Sequence, residues 1–335
     1  MGLRFPLAMT SSIAGYVFKK KLKRAKRFPM VLMLEPLHAC NLTCTGCGRI
    51  REYEETIKQK LSIEQCLEAV DECGAPVVSI CGGEPMIYPG IGALVARILE
   101  RKKNVYLCTN GMFIRKKLAE FRPSNHFFFN VHLDGMRETH DIAVERAGVF
   151  DAAIDGIKAA KEAGFLVCSN TTVFKETDMA ELEELFAYLT TLGVDGFMIS
   201  PAYGYDAVHT KEIFMTRDDI RAKFRAAEAM FRKYRFNTSP IYLEFLQGKR
   251  EIQCTAWGNP TRNILGWKGP CYLITDVHHK TFDDLLNKTP WEKYGYGKDP
   301  RCEHCMVHVG YEATAAVGVN GPLGDTLKMI KWQFT

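Results

Sequence analysis

Cys40, Cys44 and Cys47 stand in the spacing C-x3-C-x2-C. Three thiolates on one short loop can take three corners of a four-iron, four-sulfur cube and leave the fourth iron open. An open iron can chelate the amino and carboxylate groups of a small substrate, which a cube held by four cysteines cannot do. The same trio also suits zinc, with His38 as the fourth protein ligand, or three unrelated buried thiols. A second set, Cys254, Cys271, Cys302 and Cys305, ends in C-x2-C. Four thiolates complete a closed site for a second iron–sulfur cluster or for structural zinc, and His304 or His308 can replace one cysteine. Unligated thiols are the remaining reading. Twelve cysteines clustered in this way in a chain of 335 residues do not read as a disulfide scaffold, which belongs to short secreted chains. A reducing, cytoplasmic setting is expected.

The elements that must position the first trio follow a regular rhythm. Short apolar β-rich runs alternate with segments of helical period, the pattern of βα units on a parallel sheet. Six strands are predicted over Val31–Glu35, Val77–Cys81, Val105–Cys108, Phe127–Leu133, Val167–Val173 and Gly196–Ser200. Helices are predicted over Ser62–Cys73, with Ser62 and Gln65 in capping-box spacing, and over Phe150–Ala163, closed by Gly164. In such architectures reactive groups gather on loops at the carboxyl ends of strands, and Cys40, Cys44 and Cys47 fall on the loop after the first.

Three further motifs fall on such loops. Gly82-Gly83-Glu84-Pro85 follows the second strand, Thr109-Asn110-Gly111 the third, and His132-Leu133-Asp134-Gly135 the fourth. With the cysteine spacing, they resemble the radical S-adenosylmethionine (radical SAM) superfamily. The resemblance implies an α/β fold, a partial (β/α)6 TIM-like barrel, with a [4Fe-4S] cluster on Cys40, Cys44 and Cys47. It implies SAM contacts at Gly82, Gly83, Glu84 and Pro85, where exposed glycines admit the ligand to the backbone, and at Asn110, His132, Asp134 and Asn170. His132 stands where the family usually has Ser. Gly46 stands where an aromatic residue usually lies near adenine, so a roomier cavity is expected there.

Over nearly the whole chain, including Glu35-Pro36-Leu37-His38-Ala39-Cys40, the text is similar to the hopanoid-biosynthesis, HpnH-type adenosylhopane synthases. That resemblance implies addition of a 5′-deoxyadenosyl radical to the terminal alkene carbon of diploptene, with SAM consumed as co-substrate and a one-electron reductant such as flavodoxin or ferredoxin. The resulting carbon radical needs a hydrogen atom, and Cys108, at the end of the third strand, is the candidate donor; the bland reading of Cys108 is a small buried hydrophobe. Trp257, Trp267, Trp291, Tyr203 and Tyr205 are candidate walls for a polycyclic ligand, with ordinary core packing the other reading for each. The rival readings are a peptide-modifying radical SAM enzyme and a non-catalytic iron–sulfur protein.

The formal charge of +5 is local: Lys19, Lys20, Lys21, Lys23, Arg24, Lys26 and Arg27 contribute seven positive charges, and the remainder sums to −2. A broad nucleic-acid surface is therefore not expected. The charges follow the apolar run Phe5–Phe18, the reverse of a secretory signal. Two readings of residues 1–28 stand instead: a basic amphipathic segment lying peripherally on the inner face of an anionic membrane, or a solvated basic helix that packs its apolar side on the domain. The core barrel is expected over residues 29–202. Residues 203–335 are expected as a smaller Cys-rich extension, with a charged helix near Asp218–Arg235 and an auxiliary metal site.

Overall fold

The computed structural model describes residues 3–317 and 323–334. Six strands, β1 (Val31–Leu34), β2 (Val77–Ile80), β3 (Asn104–Thr109), β4 (Phe127–His132), β5 (Leu166–Val173) and β6 (Gly196–Pro201), pair in chain order, every pair parallel. Parallel strands are covered on both faces and so read as nearly continuous apolar runs; β2 is buried along its whole length. Between β1 and β2 the helix Ile63–Cys73 starts on the expected capping box of Ser62 and Gln65 and stops at Gly74, whose φ of +68° is left-handed. Such a cap contributes about 1 kcal/mol. The helix Val149–Glu162 buries Phe150, Ile154 and Ile157, and Gly164 (φ +81°) turns the chain into β5. This is the expected α/β, partial (β/α)6 barrel.

The C-terminal residues extend that sheet rather than sitting beside it. Strands β7 (Thr261–Asn263), β8 (Gly266–Pro270) and β9 (Thr275–His279) continue the order as β6-β5-β4-β3-β2-β1-β7-β8-β9, with β7 parallel to β1 and the β8–β9 hairpin antiparallel. Their three-to-five-residue length and Gly/Pro content hide them from a periodicity search. The charged helix expected near 218–235 is two helices, Arg217–Ala226 and Glu228–Lys233, because the chain leaves helical geometry at Ala227 (φ −90°, ψ 13°).

Strands β1 and β6 do not pair, so the barrel is open on one side. The helix His308–Val317 fills the opening: the His308 N–H donates to Ser200 Oγ on β6 (3.3 Å), while Ala313 packs on Phe28 and Met30 just before β1. The N-terminal helix Leu7–Leu22 crosses the opposite, amino-terminal end of the strands. There Met9 is buried with Phe128 and Cys168, and Asn104 Nδ2 at the start of β3 donates to Ser12 Oγ (3.0 Å). No helix among the described residues is long and apolar enough to cross a membrane.

Candidate functional site

The loop after β1 is clamped between two others. From the β2 loop, Gly83 N–H donates to Leu37 O (3.1 Å) and Glu84 N–H to Ala39 O (2.9 Å). A Cβ on Gly83 would lie 1.9 Å from Ala39 O, and one on Gly82, at φ +104°, 2.5 Å from Leu37 O. Both glycines are thus required by the cysteine loop itself, which presses on them. From the far side Arg51 donates to Cys44 O (3.0 Å) and Cys47 O (2.5 Å), tying off the loop.

Cys40, Cys44 and Cys47 all line one cavity of about 1000 Å³. Burial pushes the Cys40 thiol up to about 12, and burial followed by the neighbouring cysteines also pushes Cys44 up. As thiolates they would need cations among them, which an iron–sulfur cube would supply. Among the described residues no three His, Cys, Asp or Glu side chains converge closely enough to hold a single metal ion. The trio therefore fits the wider corners of a cube better than a mononuclear zinc site. Nor is His38 a fourth ligand: it is buried away from the trio, with Nδ1 2.9 Å from Thr56 Oγ1, Nε2 3.7 Å from Glu35 and its ring stacked on Tyr53 at 4.0 Å.

The carboxylate of Glu84 faces the same cavity but is engaged internally. It accepts from Thr109 Oγ1 (2.8 Å), Asn110 N–H (2.8 Å) and Met86 N–H (2.9 Å), while burial raises its pKa. Pro85 opens the short turn Pro85–Ile87 that presents it. Asn110 Nδ2 donates to Asn41 Oδ1 (2.9 Å) and so staples the third loop to the cysteine loop. Burial disfavours charge on His132, yet Asp134, 2.8 Å from Nε2, outweighs it and raises the pKa; Asp134 also accepts from Thr172 N–H (2.7 Å). Asn170 lines the cavity and its side chain makes no hydrogen bond among the described residues, which leaves it open to a ligand. Five strand ends thus converge on three half-buried thiols and a row of polar groups.

Comparison with known proteins decides what this constellation is. Residues 34–189 match the sequence model of the radical SAM superfamily, and residues 197–329 match a domain of unknown function, DUF3463. Residues 34–189 belong to the radical SAM superfamily. The chain is 30% identical over 199 residues to GTP 3′,8-cyclase 2 of Pseudomonas aeruginosa, 57% of this chain and 60% of that protein. It is 27% identical over 306 residues to the subtilosin biosynthesis protein AlbA of Bacillus subtilis, 84% of this chain and 65% of that protein. It thus spans under two thirds of either relative. SuiB of Streptococcus suis, solved with its precursor peptide SuiA and with S-adenosylmethionine, shares the fold: in the peptide complex the TM-score is 0.63 at 16% identity, covering 90% of this chain and 76% of that one. The family uses a [4Fe-4S] cluster and SAM, so the cofactors implied by the cysteine spacing stand. The finer HpnH-type resemblance gains no support from these matches.

Several residues of this radical SAM site are invisible in one dimension. At Gly46 a Cβ would strike the Phe174 ring at 2.5 Å. The Phe174 ring, from just after β5, occupies the space beside Gly46, and the roomier cavity expected there is not found. Tyr205 fills the space over Gly48 in the same way. Behind the loop lies a buried group: Arg49 sits 3.4 Å from Glu35 and over the ring of Tyr272 at 4.2 Å, and Glu35, which burial would raise, is pulled down to about 2 by Arg49. Trp257, Trp267 and Trp291 do not wall the cavity. Trp267 Nε1 bonds Glu72 (2.9 Å), Trp291 Nε1 bonds Leu286 O (2.8 Å) and Trp257 packs near Phe28, whereas Tyr203 and Tyr205 do line it.

Cys108 faces the cavity interior with Sγ 3.4 Å from both Ser79 Oγ and Asn130 Nδ2, and burial raises its pKa, which keeps it an intact S–H. The C-terminal set meets as well: Cys254, Cys271, Cys302 and Cys305 together line a small enclosed space of about 30 Å³ beside Tyr203 and Tyr311. Burial pushes all four thiols up; neighbouring cysteines add to this at Cys254, Cys302 and Cys305, whereas the Leu273 N–H and Lys268 partly offset it at Cys271. His304 is exposed, and His308 lines the large cavity instead, so neither joins the four.

Proposed function

We propose that the protein is a radical SAM enzyme acting on a bulky apolar substrate, with the terminal alkene of diploptene as the specific candidate and adenosylhopane as its product. The observation that carries this reading is the cavity, one continuous space from the cysteine loop through the barrel to Met9, Ile13, Met198, Met329 and Ile330 at its far end. Each buried methylene of a hydrocarbon ligand is worth about 0.8 kcal/mol in such a space, and apolar walls keep water and stray hydrogen donors from a radical. When bound, the cluster and SAM supply a 5′-deoxyadenosyl radical by one-electron cleavage of the S–C5′ bond. In this reading Cys40, Cys44 and Cys47 hold the iron. Gly82, Gly83, Glu84, Pro85, Asn110, His132, Asp134 and Asn170 hold SAM. Addition to the alkene would leave a tertiary carbon radical, Cys108 would give it a hydrogen atom, and the resulting thiyl would return to thiol by one electron from a flavodoxin or ferredoxin and one proton from solvent. Cys254, Cys271, Cys302 and Cys305 hold a second [4Fe-4S] cluster.

The named relatives point elsewhere for substrate: AlbA makes a bacteriocin, SuiB is titled with a peptide, and the cyclases act on GTP. On relatives alone a peptide is the better-supported substrate, and it is the second reading. Anaerobic incubation with dithionite, SAM and diploptene, followed by mass spectrometry of the lipid extract, separates the two. A hopene-plus-adenosyl adduct is expected; 5′-deoxyadenosine without any lipid adduct overturns the diploptene reading, and adduct formed by Cys108→Ala at the wild-type rate and yield removes Cys108 from the scheme.

A further inference from the structure

The far end of the cavity is closed by two helices, Leu7–Leu22 and Leu323–Gln333, that the site chemistry does not use. Their ends are stitched together: Arg4 N–H donates to Gln333 O (2.9 Å), Gln333 Nε2 to Phe5 O (2.8 Å), and the Phe5 and Trp332 rings meet at 5.5 Å. At about 100° per residue, Met9, Ile13 and Tyr16 share the inner face of the first helix and pack on the barrel, as Met9 and Ile13 do against Phe128 and Cys168. Leu7, Phe18 and Leu22 share the opposite face. On the last helix Leu327, Ile330 and Phe334 stand at i, i+3 and i+7, again one stripe. All six of these side chains are more than half exposed. Leu7, Phe18, Ile330 and Phe334 line the cavity as well, so the exposed apolar surface and the cavity are continuous.

Charge frames this surface with one sign. Residues 3–27 contain no Asp or Glu, and Lys19, Lys20, Lys21, Lys23, Arg24, Lys26 and Arg27 are clustered at the end of the first helix. Lys331 is exposed on the last helix, whose acidic residue Asp325 is spent on Arg250 (2.8 Å). An apolar patch alone names no partner; an apolar patch ringed by cations and free of anions is complementary to an anionic lipid surface.

We propose that the pair Leu7–Leu22 and Leu323–Gln333 is a portal that docks on an anionic bilayer and admits an apolar substrate into the barrel from the amino-terminal ends of its strands, opposite the cysteine loop. SAM and substrate then reach the site from opposite ends, and neither must leave for the other to enter. The portal rests on the apolar-substrate reading, while the docking does not. The test uses the full chain with vesicles of phosphatidylglycerol and phosphatidylcholine, or of phosphatidylcholine alone. Sedimentation with the anionic vesicles is expected at low salt, with loss in 0.5 M NaCl, where the screening length falls to about 4 Å. The double variant Leu22→Glu/Leu327→Glu is expected to lower partitioning at least tenfold while SAM cleavage stays as in wild type, which shows that it folds. Equal partitioning of wild type and variant, or none by wild type, overturns the docking. The same double variant is expected to lower turnover of vesicle-borne diploptene at least tenfold while turnover of detergent-dispersed diploptene stays as in wild type; unimpaired turnover from vesicles overturns the portal. If no lipid substrate is converted by any form yet docking holds, the substrate reading has failed and the docking has not.

Discussion

The molecule carries two gatherings of cysteine that differ in what lies next to them. Cys40, Cys44 and Cys47 open into a cavity of about 1000 Å³, whereas Cys254, Cys271, Cys302 and Cys305 enclose about 30 Å³. A cube on the first set would leave one iron to whatever occupies the cavity; a cube on the second would have a thiol for every iron. Donor count and adjacent volume together distinguish a site that does chemistry from one that holds structure or relays electrons. The buried Arg49, in contact with Glu35, Tyr272 and Tyr205, lies between them and couples electrostatically to Cys271.

That contrast is sharpest in the response to losing one thiol. Replacing Cys40, Cys44 or Cys47 by Ala is expected to reduce 5′-deoxyadenosine formation under dithionite to background. Replacing Cys302 or Cys305 by Ser is expected to leave measurable cleavage and lower anaerobic iron from about eight to about four per chain. Full cleavage in the first group, or unchanged iron in the second, breaks the comparison. Next in size, Gly83→Ala forces a methyl against a backbone carbonyl 1.9 Å away. About 3 kcal/mol or more is expected, read as a lower Tm together with loss of cluster after reconstitution.

Phe174→Ala removes the ring over Gly46 and is expected to raise the KM for SAM roughly tenfold, about 1.4 kcal/mol, with iron content unchanged; an unaltered KM would show that the ring merely packs. The smallest effect concerns pH. His132 has a raised pKa beside Asp134, so the stability it contributes is complete below its ordinary value near 6.5 and is lost as pH rises through the folded value. Wild type is expected to lose more Tm than His132→Asn between pH 6 and 9. Parallel profiles would remove the ion pair from the stability account.

Much of this was legible in one dimension where the signal is local. The six barrel strands lie within a residue or two of their predicted ends because buried parallel strands are continuous apolar runs bounded by polar loops. Ser62 with Gln65, and Gly74, bound a helix through bonds made within one turn. The cysteine spacing and the glycine pair were equally plain. What escaped involves distant partners. Strand β7 is three residues long and exists because β1 offers an edge to it, and Phe174 serves Gly46 from 128 positions away. Of the two readings open for the three tryptophans, cavity wall or ordinary packing, the structure shows packing.

Residue order alone determined which groups could meet iron, because thiols four and three positions apart on one loop have no other choice of neighbours. Only the tertiary structure decided how large a space those thiols face, which aromatic ring lies against Gly46, and that the first and last helices close the same cavity. Loop spacing is a covalent constraint carried within a few residues; volume, accessibility and charge surroundings are set by segments that converge from across the chain, and no local pattern encodes them.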